Sequence, residues 1–229
     1  MFTHVCTDRT PSPLIDTTLE LTTALVPVPT ASVLQQLRTA TAAQHRALEA
    51  RLPLTHADLD FPTYQRIIQA YYGFHSPLQR SIDQFFAAQP AHSSLVQDPA
   101  RHKVPALLKD MHAMGLTDAQ IQDLPQCSVL PVIDSVARLL GVMYVMEGAT
   151  LGGQVLRRII ADRLGIDAES GGEFLDVYGR DTGRLWKTFL RQLADFDSPR
   201  HNAEVAQSAC LTFECFETWL ERAGVLNDA

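Results

Sequence analysis

Residues 141–165 read GVMYVMEGATLGGQVLRRIIADRLG. Apolar and small side chains fill this run without the period-two alternation of a half-buried strand. From Pro131 to Gly165 the content is helical, and Gly148, Gly152 and Gly153 sit inside that helix. Each glycine costs a helix interior about 1 kcal/mol against alanine. Three cost about 3 kcal/mol, a large share of the net stability of an ordinary domain. Two readings offset that cost. The glycines kink the helix and bring bare backbone against a flat ligand, where a Cβ would collide. Alternatively, Gly148 and Gly152 form a small-xxx-small face for close helix packing.

The chain on either side is helical too. Ser32-Val33-Leu34-Gln35 reads as a capping box that opens a first helix. Val33, Leu37, Ala40, Gln44 and Leu48 form its apolar seam, and Pro53 stops it. A second helix opens near Asp60 with Pro62 in its first turn. It buries Tyr64, Ile67, Ile68, Tyr71, Phe74, Leu78, Ile82 and Phe85, and Pro77 is expected to kink it. Further helices are expected over Val104–Met114, from Thr117, over Asp181–Asp195 and over Pro199–Ala223, with a loop at Ser170-Gly171-Gly172. The fold class is all-α: a single compact helical domain over residues 31–226, without internal repeats. Residues 1–30, rich in Thr, Pro and Ser, read as a flexible N-terminal arm, with one short element near Leu19–Leu25.

Composition narrows the function. The chain has 229 residues, 46% hydrophobic and 20% charged, enough apolar material for a full core. Its net charge of −7 disfavours sequence-blind nucleic-acid binding. No uninterrupted apolar stretch is long enough to span a membrane. Cys6, Cys127, Cys210 and Cys215 form no CxxC, and the N-terminus lacks the layout of a secretion signal, so a cytoplasmic protein with reduced thiols is expected. HExxH, P-loop and GxSxG motifs are absent.

One histidine stands out. With Val33 at zero and about 100° per residue, His45 lies near 120° and Arg38 near 140°, so both share a face roughly 10 Å apart along the axis. Glu49 follows His45 by one turn and can accept from its Nδ1–H. A metal-bound histidine wants such an acceptor. An ordinary i,i+4 pair on a solvated face has the same spacing. One helix offering a single histidine, with a glycine-bearing helix covering the other side, suits an iron porphyrin with an open site for O2.

The stretch Leu37–Glu49, LRTATAAQHRALE, resembles the proximal helix of the haem oxygenases. Tyr144–Gln154, YVMEGATLGGQ, resembles their distal helix, in the form found in the bacterial branch that serves bacteriophytochromes. Phe61-Pro62-Thr63-Tyr64, Tyr72-Gly73-Phe74, Leu124-Pro125 and Trp186-Lys187-Thr188-Phe189 extend the similarity from about Val33 to Leu220. The resemblance implies a haem-oxygenase-like fold and cleavage of haem b, at once substrate and cofactor, at the α-meso carbon. O2 and an external electron donor, a reductase or ferredoxin, are consumed. The products are biliverdin IXα, carbon monoxide and iron, and a bacteriophytochrome is the implied partner.

By position, the resemblance makes His45 the iron ligand and Glu49 its acceptor. Gly148 and Gly152 become distal backbone contacts, with Thr150 beside them. Arg38 and Lys187 take the propionate-binding positions. Tyr144 is a further propionate candidate, although mammalian members place their tyrosine one residue earlier. Mammalian members also carry Asp directly after the first distal glycine, where this chain has Ala149. That departure keeps open a haem carrier or sensor without turnover. A thiamin-pyrimidine hydrolase of similar helical architecture would need a cysteine nucleophile beside a base, and nothing pairs Cys210 or Cys215 with one.

Overall fold

The computed structural model describes residues 31–89 and 98–228. The expected N-terminal arm and its short element lie outside the described residues. Helix α1 spans Val33–Arg51, α2 Phe61–Ala88, α3 Val104–Ala113 and α4 Asp118–Gln122. After a non-helical stretch come α5, Val136–Leu164, α6, Thr182–Asp195, and α7, Asn202–Arg222. No β-strand occurs among the described residues.

The local signals act largely as expected. Ser32 caps α1 by accepting from the Gln35 N–H at 3.3 Å. The reciprocal arm of that box is not formed, whereas Thr117 and Gln120 make a complete box at α4. The α1 seam drifts from the expected line. Thr41 is buried in place of Ala40, and its hydroxyl is satisfied by donating to Leu37 O at 2.8 Å. Helix α2 remains one element through Pro77, and all eight expected apolar positions are buried. Helix α5 begins at Val136, five residues later than expected, because Ser135 supplies its N-cap. Ser170-Gly171-Gly172 forms a π-type turn rather than an open loop.

Helix α7 is the spine of the arrangement, packing against both α1 and α5. At α1, Arg51 reaches Glu217 and Glu221 of α7, each at 2.7 Å, and Gln44 donates to Cys210 O at 3.3 Å. At α5, Ser208 of α7 donates to Arg138 O at 2.8 Å. The two backbones meet at Gly141, where an added Cβ would lie 2.4 Å from Val205 O and 2.6 Å from the Ser208 Cβ. Gly141→Ala is therefore expected to push α5 off α7, costing about 1–3 kcal/mol as overpacking does. A lowered midpoint in urea unfolding checks this.

Among the described residues, α5 alone has the length and apolar content to cross a bilayer. In this fold it is the central core helix, with Leu139, Leu140, Val142 and Ile160 fully buried.

Candidate active site

Helices α1 and α5 supply most of the lining of one cleft of about 540 Å³. From α1 come Arg38, Thr41, Ala42, His45, Leu48 and Glu49, and Leu52 follows as its C-cap. From α5 come Tyr144 to Met146 and Gly148 to Gly153. Phe213 and Phe216 of α7, Trp186 of α6 and Phe174 add aromatic surface.

His45 stands at the cleft with 54% of its side chain exposed. Its Nδ1 lies 3.2 Å from Glu49 Oε2. Its ring meets the Phe213 ring edge-on at 5.9 Å. Among the described residues Nε2 has no hydrogen-bond partner, so one ring nitrogen is held and the other is available. That is the arrangement a ligating imidazole needs.

The glycines divide into two kinds. An added Cβ at Gly152 would meet nothing within 4 Å, and one at Gly148 only the rim of Trp186 at 3.9 Å. Helix packing therefore does not require these two, which overturns the small-xxx-small reading. Gly153 is the packing glycine: its Cβ would lie 2.2 Å from Leu175 O. The strand of chain that approaches it is well anchored. Asp110 accepts from the N–H groups of Glu173 and Phe174, each at 2.8 Å, and Tyr64 donates to Gly171 O at 2.8 Å.

Other expected site residues fall as follows. Tyr144 lines the cleft with its ring 6.1 Å from Trp186. Thr150 lines it too, but its hydroxyl donates to Glu147 O at 2.7 Å, so its proton is already engaged. Lys187 does not line the cleft; it is exposed on α6. Its neighbour Trp186 takes the cleft-facing position, and one residue along a helix turns the side chain by about 100°. Neither Cys210 nor Cys215 lines the cleft, and burial raises both thiol pKa values, which removes support for a cysteine nucleophile.

Sequence reasoning missed a buried ionic cluster behind the glycines. Glu147, 1% exposed, accepts from Arg101, from Lys103 Nζ at 2.7 Å and from the Tyr178 hydroxyl at 2.9 Å. Arg101 also donates to Leu185 O at 3.0 Å, and Lys103 to Tyr178 at 2.8 Å. Burial pushes the Lys103 pKa down, and Glu147 opposes that. Glu147→Gln leaves two buried cations without an anion. The expected cost is about 3–5 kcal/mol, read as a thermal midpoint roughly 10 °C lower.

His75 was missed as well. It lines the cleft from α2 within a ring of aromatics, with Phe174 at 5.3 Å between centroids. Burial, then the charge of Lys103, pushes its pKa down to about 3 from 6.5. Below pH 6.5 the unfolded chain takes up a proton that the folded chain refuses. The stabilisation is therefore complete above pH 6.5 and is lost as the pH falls towards 3. Between pH 6.5 and pH 5, unfolding free energy is expected to fall by up to about 2 kcal/mol through this ring. Urea titrations of the wild type and His75→Phe at both pH values measure it as a shallower acid limb in the variant.

A protein-family model described as "Heme oxygenase" matches residues 31–222. The chain belongs to the haem oxygenase family. It is thus one of a family of oxidoreductases that degrade haem. No match to the chain is found among curated proteins. Its fold is similar to that of solved haem oxygenases. The enzyme from Leptospira interrogans is 19% identical with a TM-score of 0.65, covering 84% of this chain and 100% of that one. Haem oxygenase-1 from the cyanobacterium Synechocystis, solved in complex with haem, is 15% identical with a TM-score of 0.66, covering 84% and 92%. The Neisseria meningitidis enzyme, solved with NO and CO bound, is 19% identical with a TM-score of 0.65, covering 86% and 95%.

The cleft of this haem oxygenase family member fits haem on its own chemistry. It is largely apolar and aromatic, the wall lies open beside Gly148 and Gly152, Nε2 of His45 is unpaired, and the Arg38 guanidinium stands on the same helix as His45.

Proposed function

We propose that this chain cleaves haem b at the α-meso carbon, releasing biliverdin IXα, carbon monoxide and iron. O2 and electrons from an external donor such as ferredoxin or a reductase are consumed. One observation carries this reading. An imidazole with Nδ1 held by Glu49 and Nε2 unpaired shares its cleft with two glycines that have open space beside them.

Bound haem supplies the iron that activates O2 and the porphyrin edge that is oxidised. His45 would hold the haem iron through its open ring nitrogen, and Glu49 would fix the tautomer and orientation of the ring. Gly148 and Gly152 would let backbone come close to the bound macrocycle. Arg38 and Tyr144 anchor the propionates and so set which edge faces the glycines. The aromatic lining keeps bulk water from the reacting edge. Lys187, exposed on α6, reaches a propionate only from outside the lining.

Supply of biliverdin to a bacteriophytochrome, in the cytoplasm, belongs to the same proposal. Its support is the Tyr144–Gly153 form of the distal motif. A second reading, a haem carrier or sensor, is favoured by Ala149 and by the engaged Thr150 hydroxyl, which leave no side-chain proton donor at those two positions.

Hemin titration followed by ascorbate or ferredoxin under O2 separates the readings. Enzyme gives a Soret band that saturates at one equivalent and then a green verdin, analysed for its isomer. A carrier binds one equivalent and stops at a stable complex. Protein that takes up no hemin sinks both.

A further inference from the structure

His75 lies where two cavities meet. Besides the cleft, it lines a side cavity of about 30 Å³ between α2 and the Asp98–Lys103 segment. Lys103 and Met146 are the other residues common to both. A space of this size holds one or two water molecules when its walls are polar, and these walls carry Gln79, Asp83, Asp98, Arg101 and His102. At the solvent end, His102 Nε2 and Asp83 Oδ1 stand 3.7 Å apart, and both side chains are exposed.

The polar groups around His75 differ in one respect. Lys103 spends its donors on Glu147, Tyr178 and Arg101 O. Arg101 is committed to Glu147 and Leu185 O. The other side chains packed on the ring are Tyr71, Phe74, Phe174 and Phe216. Among the described residues His75 has no hydrogen-bond partner for either ring nitrogen. A polar ring in an aromatic setting wants one, and a neutral imidazole offers one donor and one acceptor.

We propose that water enters the inner end of the cleft through this side cavity, and that His75 is the positioning residue that holds it there, one nitrogen towards the cavity and the other towards the bound ligand. Ala149 has no polar side chain and the Thr150 hydroxyl is engaged, so neither offers the cleft a free donor. The His75 ring stays neutral across the physiological range, with one N–H to donate and one nitrogen to accept, because burial and Lys103 disfavour the imidazolium. For its ligand this inference rests on the haem reading above.

The test uses the full chain loaded with ferric haem and follows the pH midpoint of its acid–alkaline optical transition. A donor aimed into the cleft stabilises the more negative alkaline form. His75→Phe is expected to bind one equivalent of hemin and to raise that midpoint by about 1 pH unit, the worth of one charge-assisted hydrogen bond. His75→Gln, which keeps a donor, returns it towards the wild-type value. A merely structural ring would leave the midpoint where it is, and an unchanged His75→Phe midpoint overturns the proposal. Independently, a crystal structure of the wild-type protein should show water in the side cavity within hydrogen-bond distance of His75. A dry cavity overturns the proposal too. If the chain binds no hemin, the haem reading fails, and water in the unliganded crystal still decides the route.

Discussion

His45→Ala is expected to abolish haem turnover and to convert the optical spectrum of the hemin complex to that of a chain without an axial imidazole. The size of the effect follows from chemistry, because His45 is the one imidazole that α1 brings to the cleft, and the other cleft imidazole, His75, stands on α2 among aromatic rings. Folding should hardly change. More than half of the His45 side chain is exposed, and exposed substitutions usually stay within about 0.5 kcal/mol. Free imidazole should restore the spectrum, since the alanine leaves room for it. Glu49→Ala is the graded companion, expected to weaken haem affinity or turnover about 10–100-fold by releasing the tautomer and orientation of the ring. Hemin titration with and without imidazole measures all three. A wild-type spectrum from His45→Ala would remove the ligand assignment.

Substitution of Gly148, Gly152 and Gly153 in α5 should separate ligand contact from packing. Gly152→Ala meets nothing within 4 Å and restores a better helix former. It is expected to raise the stability of the unloaded protein by up to about 1 kcal/mol. Gly148→Ala behaves alike, its Cβ resting at ordinary contact distance from Trp186. Gly153→Ala does the opposite, because Leu175 O cannot retreat without breaking the anchored turn behind it. A loss of about 1–3 kcal/mol is expected. Ligand binding inverts the order. Gly152→Leu fills the space that the macrocycle needs and should weaken hemin binding more than tenfold, over about 1.4 kcal/mol. Thermal melts of the unloaded proteins and hemin titrations give the two rankings. Gly152→Leu binding hemin with wild-type affinity would show that the cleft takes its ligand elsewhere.

The contrast among these glycines shows where sequence reasoning stops. Glycines clustered inside one helix announce that something comes close, but they do not say what. The atom that decides Gly153 belongs to Leu175, 22 positions along the chain, and the space beside Gly152 exists because nothing reaches it. The buried cluster is similar. Glu147 stands in a legible motif, yet Arg101, Lys103 and Tyr178 come from separate segments whose approach no local pattern encodes. His75 follows Tyr72-Gly73-Phe74 directly and still gives no signal, since a lone histidine on an apolar helix face is ordinary. Lys187 differs again: the matched position points to the site, while the turn of α6 leaves Lys187 exposed and places Trp186 on the cleft wall.

Local geometry was readable from the amino acids themselves. Caps, helix extents, the His45–Glu49 pair and the shared face of Arg38 and His45 depend on neighbours within two turns, where backbone sterics and hydrogen bonding set every distance. Only the assembled helices decided which glycines border empty space, which cations surround Glu147 and which ring lies between two cavities. Those outcomes depend on atoms brought together by burial of apolar surface, a force without direction that leaves no mark at any one position.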